Sequence, residues 1–340
     1  MKPTALSVKL RRSARKLGCY IGGFISYSMP RQLFETRLPI SLDRFTPAQR
    51  AEIISRAAYY CRLPEGCPVD DSTALAIADY RFPWGRRKKL ATYFFDLFST
   101  LRHFAPGLRF SYIFGDVDWE PNSPTFVKSR PIPPRGATSM ATILRLNAAR
   151  HYLFVPDPVP FRQKKDMIVS RNVVQQPHRR LFLEKWFGHP MVDAGQINAD
   201  CEPGNERWIR PYMSIPDQLG FKFVCCIEGN DVATNLKWVM ASNSVAVMPR
   251  PRFETWFMEG TLQPGVHYIE IAPDYSDLIE KLNHYISHPE EAEAIIENAH
   301  RYVARFTDSR VEKATSLLTA ATYFSRTGQL GNLTKLTDPE

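Results

Sequence analysis

The sequence predicts an α/β protein of two domains, and three observations carry that prediction. The chain has 340 residues, more than a single hydrophobic core normally organises. Residues 221–248 read as an apolar strand, a glycine-containing turn, a helix and a second apolar strand, which is a βαβ unit and implies a parallel sheet. Pro156, Pro158 and Pro160 then mark a linker between this region and an earlier strand-bearing one. The expected division is residues 1–155, residues 156–325 and a tail, 326–340, with a cleft between the two domains.

The first hundred residues read mainly as helices. Thr46 and Pro47 cap a run to residue 61 with apolar positions at helical spacing. The cluster Arg86, Arg87, Lys88, Lys89 opens a second run over residues 90–104, whose apolar side is broad enough to be mostly buried. Residues 108–114 (LRFSYIF) form a strand-like run ending at Gly115 and Asp116. Pro121, Pro124, Pro131, Pro133 and Pro134 follow and make residues 121–137 irregular. In the second region residues 165–169 read as strand, 178–187 as helix, 221–227 as strand, 232–241 as helix and 244–248 as strand. Residues 276–287 and a run from Pro289 to about residue 306 close the chain as helices.

A formal net charge of +9 favours acidic partners, namely nucleic acid, anionic lipid or phosphorylated substrates, without choosing among them. The six cysteines form no CxxC pair and no metal-ligand spacing, which excludes the common zinc modules and fits a reducing compartment. Lys2, Lys9, Arg11, Arg12, Arg15 and Lys16 precede an apolar stretch, 18–29, that is too short and too polar to span a bilayer or serve as a signal peptide. It suits either an element lying on an anionic membrane surface or a basic helix packed on its own domain.

Several residues carry candidate chemistry. In the turn EGNDVATNLKW (228–238) a helix N-terminus would offer unpaired N–H groups to a phosphate, with Gly229, Asp231, Thr234 and Asn235 around it and Lys237 adding a charge. The turn lacks the glycine pattern of a phosphate loop. Arg171, after residues 165–169, is a second candidate for neutralising a departing diphosphate, although a lone arginine more often pairs with a carboxylate. Asp116 and Asp118 form a DxD triplet. It reads either as two ligands for a divalent ion or as one general base with a neighbour. Lys128 and Arg130 could bind an anionic acceptor or balance the aspartates. Glu254 and His267 stand among aromatics and could line a sugar pocket, while a structural role is the commoner fate of such a histidine.

Four ordered blocks, PTFVKSRPI (124–132), QPHRRLFLEKWF (176–187), EGNDVATNLKWVMASNS (228–244) and FETWFMEGTLQPGVHYIEI (253–271), resemble glycosyltransferase family 90. The branch they resemble most is that of the bacterial lipopolysaccharide core glycosyltransferases, and the likeness spans about residues 80–310. It implies a GT-B-like architecture, two Rossmann-like domains facing a central cleft, here with helical N-terminal and C-terminal segments. It also implies a UDP-sugar donor, inversion at the anomeric carbon, and no cofactor or catalytic metal. By position, Asp116 would be the base, with Asp118 the close alternative. Lys237 stands where the family often has a phosphate-binding arginine. Arg171 matches the arginine of an aromatic–Arg–Gly motif, flanked here by Ser170 and Asn172.

The sequence reading is therefore transfer of a hexose from UDP-hexose to a hydroxyl of the lipopolysaccharide or lipooligosaccharide core. Asp116 or Asp118 acts as base, and Arg171, Gly229, Asp231, Thr234, Asn235, Lys237 and Glu254 bind the donor. Lys128, Arg130 and His267 bind the acceptor. No nucleic-acid partner is expected, and the expected place is the cytoplasmic side of a bacterial inner membrane, in peripheral contact with its anionic surface.

Overall fold

The computed structural model describes residues 18, 20–29, 42–82, 90–151 and 154–331. The basic residues 2–16 and the cluster 86–89 lie outside the described residues. In chain order the strands are β1 Leu75–Ala76, β2 Arg109–Tyr112, β3 Thr125–Val127, β4 Ser129–Pro131, β5 Ala141–Ile143, β6 Lys165–Asn172, β7 Val192–Gln196, β8 Phe221–Cys225, β9 Val245–Met248, β10 Phe253–Thr255 and β11 Ile269–Glu270. They fall in two compact units. Among the described residues no helix is long and apolar enough to cross a membrane.

The first unit holds the described residues between 18 and 149, the short return Phe253–Met258 and the described residues 306–331. Its sheet has the order β1-β2-β3-β5, antiparallel at β1–β2 and parallel elsewhere. The helix Pro47–Tyr60 starts as the sequence predicts: Thr46 Oγ1 accepts from the Gln49 N–H at 3.3 Å and the Gln49 side chain accepts from the Thr46 N–H at 3.1 Å. The helix Ala91–Leu101 buries Phe94, Phe95, Leu97 and Phe98, which is why its apolar side is so broad. The helix Ser309–Arg326 completes the core, with Tyr323 packed on Phe126 of β3 at a centroid distance of 4.1 Å. A buried ion pair, Arg56 Nη1 to Glu312 at 2.6 Å, ties this helix to Pro47–Tyr60. Residues 253–258 and 306–331 thus belong with the N-terminal half of the chain, an arrangement that a single cut after residue 155 does not express.

The second unit, Arg150–Arg252 and Glu259–Arg305, is built on a parallel five-stranded sheet of order β11-β9-β8-β6-β7. β8 and β9 are buried along their whole length, as their unbroken apolar runs require when both faces are covered. The chain leaves β6 toward β7, returns to the other side of β6 for β8, and then proceeds outward through β9 to β11. The order therefore reverses between β6 and β8. In a sheet of this kind, the carboxyl edge at such a reversal is where ligands bind.

Candidate active site

A cavity of about 390 Å³ opens at that edge. It is lined by His178 in the first turn of the helix Pro177–Trp186, by Glu228 after β8, by Arg250 and Arg252 after β9, and by Tyr275 after β11, with Pro249, Pro251 and Pro273 between them. Prolines hold the loops extended and leave little entropy to lose on binding.

His178 Nε2 lies 2.8 Å from the Glu228 carbonyl oxygen. A carbonyl only accepts, so Nε2 carries the proton and Nδ1 is left as an acceptor. Burial, reinforced by Arg179 and Arg252, holds this imidazole below its ordinary pKa, so it is neutral at pH 7. The Arg179 guanidinium donates to the carbonyls of Glu228, Val173 and Ile227 at 2.8, 2.8 and 3.0 Å. It thereby fixes the loop after β8 to the helix after β6. A Cβ at Gly229 would stand 3.2 Å from Arg179 Nη2 and press on this guanidinium. Arg252 clasps Glu228 through its own N–H at 2.8 Å and its Nε at 3.0 Å. Arg250 pairs loosely with Glu270, at 3.5 Å, and its side chain is 74% exposed. Tyr275 adopts φ 61, a costly conformation for a tyrosine. A hydroxyl bond to the His178 carbonyl at 3.0 Å and an edge contact with Phe182 hold it there.

The remaining donor-side candidates sit differently from the expectation. The helix after the 228–235 turn is Leu236–Met240, one short turn rather than a helix from Val232, so its N-terminus is no extended anion site. Gly229 N–H donates to the Asp231 carbonyl, and Asn235 donates to the Cys225 carbonyl, so the turn closes on itself and on β8. Asp231 is buried and Thr234 half-buried. The Lys237 side chain is 1% exposed and pairs with Glu259 at 2.5 Å. Arg171 lies within β6, not beyond it, and binds the Asp193 carbonyl and carboxylate on β7 at 2.8 and 2.5 Å. Both cations are therefore structural ties. Lys237 is thereby shut away from water and Arg171 is spent on Asp193, so neither presents a free charge to a diphosphate.

In the first unit, Gly115 (φ +106) turns the chain after β2. Val117 is buried and its N–H donates to Ser129 Oγ at 3.2 Å. Asp116 and Asp118 flank it, both exposed. Asp116 Oδ1 accepts from Lys128 Nζ at 2.6 Å, and the lysine side chain is 2% exposed. Asp118, by contrast, makes no hydrogen bond or ion pair among the described residues. A general base needs an oxygen lone pair free to take a proton. Asp116 has one oxygen committed to Lys128, whereas both oxygens of Asp118 are unengaged among the described residues, which makes Asp118 the more available carboxylate. The neighbouring Trp119 is 50% exposed, an aromatic surface of the sort that sugar rings stack on.

Lys128, as described, belongs to Asp116. Arg130 is wholly buried and donates to Glu254 Oε1 at 3.0 Å and to the carbonyls of Tyr59, Tyr60 and Ala141 at 2.7, 3.1 and 2.7 Å. Glu254 on β10 is equally buried and also accepts from the Tyr59 hydroxyl. Burial pushes its carboxyl above the usual range. This network fastens β10 to β4, and neither residue faces a ligand. His267 Nδ1 accepts from the Gln263 N–H at 3.0 Å and its ring lies 5.1 Å from that of Tyr302, so it closes a turn and does not stand as an acceptor contact.

Sequence reading missed His178, Arg179, Arg250, Arg252, Tyr275 and Trp119. The signal for two of them was available: PRPR directly after a buried strand sets two cations each behind a proline at a strand end.

The model of a family described as glycosyl transferase family 90 matches residues 178–314, which cover the cavity and its supporting helices. The chain is 40% identical over 320 residues to O-glucosyltransferase LpsA of Dichelobacter nodosus, covering 93% of this chain and 98% of that protein. It is 33% identical over 108 residues to protein O-glucosyltransferase 2 of Danio rerio, covering 31% of this chain and 21% of the relative. It is 25% identical over 134 residues to uncharacterized protein 035R of Invertebrate iridescent virus 3, covering 35% and 12%.

Proposed function

Since the chain belongs to glycosyltransferase family 90 and so moves a sugar from a donor to an acceptor, we propose that the donor is a UDP-hexose and the acceptor a hydroxyl of the lipopolysaccharide or lipooligosaccharide core. The near full-length likeness to a bacterial O-glucosyltransferase supports a hexose and an oxygen acceptor. In this reading the two units are the two domains of a GT-B-type enzyme. The first carries the base and the second the donor.

The observation that carries the donor assignment is the cavity at the carboxyl edge of the parallel sheet, with cations on proline-fixed loops. Arg250 and Arg252 meet the charge that grows on the diphosphate as the glycosidic bond breaks. His178, neutral and with Nδ1 free to accept, takes a hydrogen bond from a donor N–H or O–H. Asp118 removes the acceptor proton while the hydroxyl oxygen attacks the anomeric carbon, UDP leaves from the opposite face, and the configuration inverts. Trp119 carries the acceptor ring.

Lys128 bears on the metal question. With its ammonium on Asp116, the DxD triplet has one unpaired carboxylate, which suits a base better than a two-carboxylate metal site. Metal-independent transfer follows from this reading, as does a cytoplasmic enzyme working at the anionic face of the inner membrane.

The test is UDP release from a panel of UDP-sugars with a truncated core acceptor. One UDP-hexose should be turned over only when acceptor is present. No turnover of any UDP-sugar, with turnover of another activated sugar, would remove UDP from the proposal.

A further inference from the structure

The first unit carries a second and larger recess, a groove of about 900 Å³ between the helices Pro47–Tyr60 and Ser309–Arg326 and the loops 61–66 and 135–138. We propose that it binds a phosphate-bearing saccharide, the part of the acceptor remote from the reacting hydroxyl. The inference rests on the reading that the acceptor is a glycan.

Charge is the first observation. Three arginines line the groove against one glutamate. Arg326 and Glu65 pair at 3.0 Å and cancel. Arg62 and Arg135 make no ion pair among the described residues. The Arg62 guanidinium lies 4.3 Å over the Tyr59 ring and its Nε donates to the Tyr59 carbonyl at 3.2 Å. Its two terminal nitrogens are left as a preformed fork, the donor geometry that suits phosphate. Arg135 is exposed on the facing loop, so an anion in the groove meets two uncompensated guanidinium groups.

The lining is the second observation. Ile54, Ala57 and Leu318 give aliphatic surface, and Thr138, Thr322 and Ser325 give hydroxyls. A saccharide has both kinds of face. Among the described residues no aromatic ring lines the groove, so they offer a second nucleotide nothing to stack on.

The third observation joins the groove to the reacting carboxylate. Glu120, two residues beyond Asp118, accepts from Ser139 Oγ at 3.0 Å and from the Met140 N–H at 2.5 Å. The Ser139 N–H in turn donates to the Arg62 carbonyl at 3.0 Å. The loop bearing Asp118 and Trp119, the loop bearing Thr138 and the start of the loop bearing Arg62 are thus one hydrogen-bonded run. The loop that carries the proposed base is therefore tied to the rim of the groove through these bonds.

The experiment compares a phosphorylated core oligosaccharide with the same oligosaccharide after phosphatase treatment, using UDP release by the full chain. Arg135→Glu is expected to raise KM for the phosphorylated acceptor about tenfold or more, the loss of a charge-assisted contact, with kcat unchanged and KM for the dephosphorylated acceptor unmoved. Arg135→Lys should recover most of the difference. Equal effects on both acceptors, or none on either, would overturn the proposal. If wild-type protein turned over no UDP-sugar, the functional reading would fall separately. The groove would then be judged by calorimetry with the phosphorylated oligosaccharide as probe: weakened binding in Arg135→Glu supports it, and unchanged binding refutes it. Loss of binding to phosphatidylglycerol vesicles in Arg135→Glu, without discrimination between the two saccharides, would assign the groove to lipid and overturn the saccharide.

Discussion

Exchanging Asp118 for Asn separates the two aspartates most sharply. The substitution keeps size and hydrogen-bonding capacity and removes only the ability to take a proton. The carboxylate is exposed and unpartnered among the described residues, so nothing in the fold depends on its charge and the melting temperature should not move. A positioned general base contributes about 10²–10⁴ in rate, or about 2.7–5.4 kcal/mol of transition-state stabilisation at 1.36 kcal/mol per decade. The predicted loss is therefore in kcat, measured as UDP release at saturating donor and acceptor, with donor affinity unchanged. Asp116→Asn should do the reverse. It removes the negative charge opposite the Lys128 ammonium, whose side chain is 2% exposed, and weakening such a charge-assisted contact costs about 1–3 kcal/mol of stability. The Asp116 carboxylate is 36% exposed, so water softens that cost toward the lower end. Asp116→Asn should melt earlier yet retain turnover within about tenfold at low temperature. Full activity in Asp118→Asn, or abolished activity in a folded Asp116→Asn, would refute the reasoning and return the base to Asp116.

Arg250→Ala should raise the Kd for UDP about tenfold or more in calorimetry, as loss of a charge-assisted contact does, with the difference shrinking as salt is added; an unchanged Kd would move the diphosphate elsewhere. Glu254→Gln leaves Arg130 charged in a fully buried site, and breaking such a pair costs about 3–5 kcal/mol; chemical denaturation should show it, whereas a change confined to donor KM would restore Glu254 to the donor site. Activity should persist in EDTA; loss on chelation with recovery in manganese would favour a metal-binding DxD pair. Burial pushes the Asp96 carboxyl, which accepts from the Ala148 N–H at 2.8 Å, up to about 7 against an ordinary 3.8. The folded state therefore holds a proton that the unfolded chain has lost, so this group's contribution is full below pH 3.8 and fades as pH rises to 7. Asp96→Asn should flatten stability across that window, and an unaltered slope would exclude Asp96 as its source.

How much of this was legible in the sequence follows from what a linear pattern can encode. The β8–β9 unit was readable because a strand covered on both faces must be apolar along its length, and a parallel return needs a helix between. The cap at Thr46 was readable because both halves of the capping box lie within three residues. The return of residues 253–258 and of the helix Ser309–Arg326 to the first unit was not. That placement depends on Arg130 meeting Glu254 and on Tyr323 meeting Phe126, contacts between residues 124 and 197 positions apart by simple subtraction of their numbers.

The candidate cations show the same limit in a form that sharpens the functional argument. Lys128, Arg130, Arg171 and Lys237 all stand beside or within apolar strand or helix runs, and each is closed in an ion pair with Asp116, Glu254, Asp193 and Glu259. A long cationic side chain in an apolar run is carried into the interior, where it persists only with an opposite charge. Arg250 and Arg252 each follow a proline just past a buried strand, at the carboxyl edge, and their side chains stay largely in water. For an anionic leaving group the useful cations are those whose surroundings cannot bury them. That criterion, solvent access and not the lack of a partner, moves the proposed donor site from Lys237 and Arg171 to the Pro249–Arg252 loop, while the carboxylate without a partner among the described residues makes Asp118 the proposed base in place of Asp116.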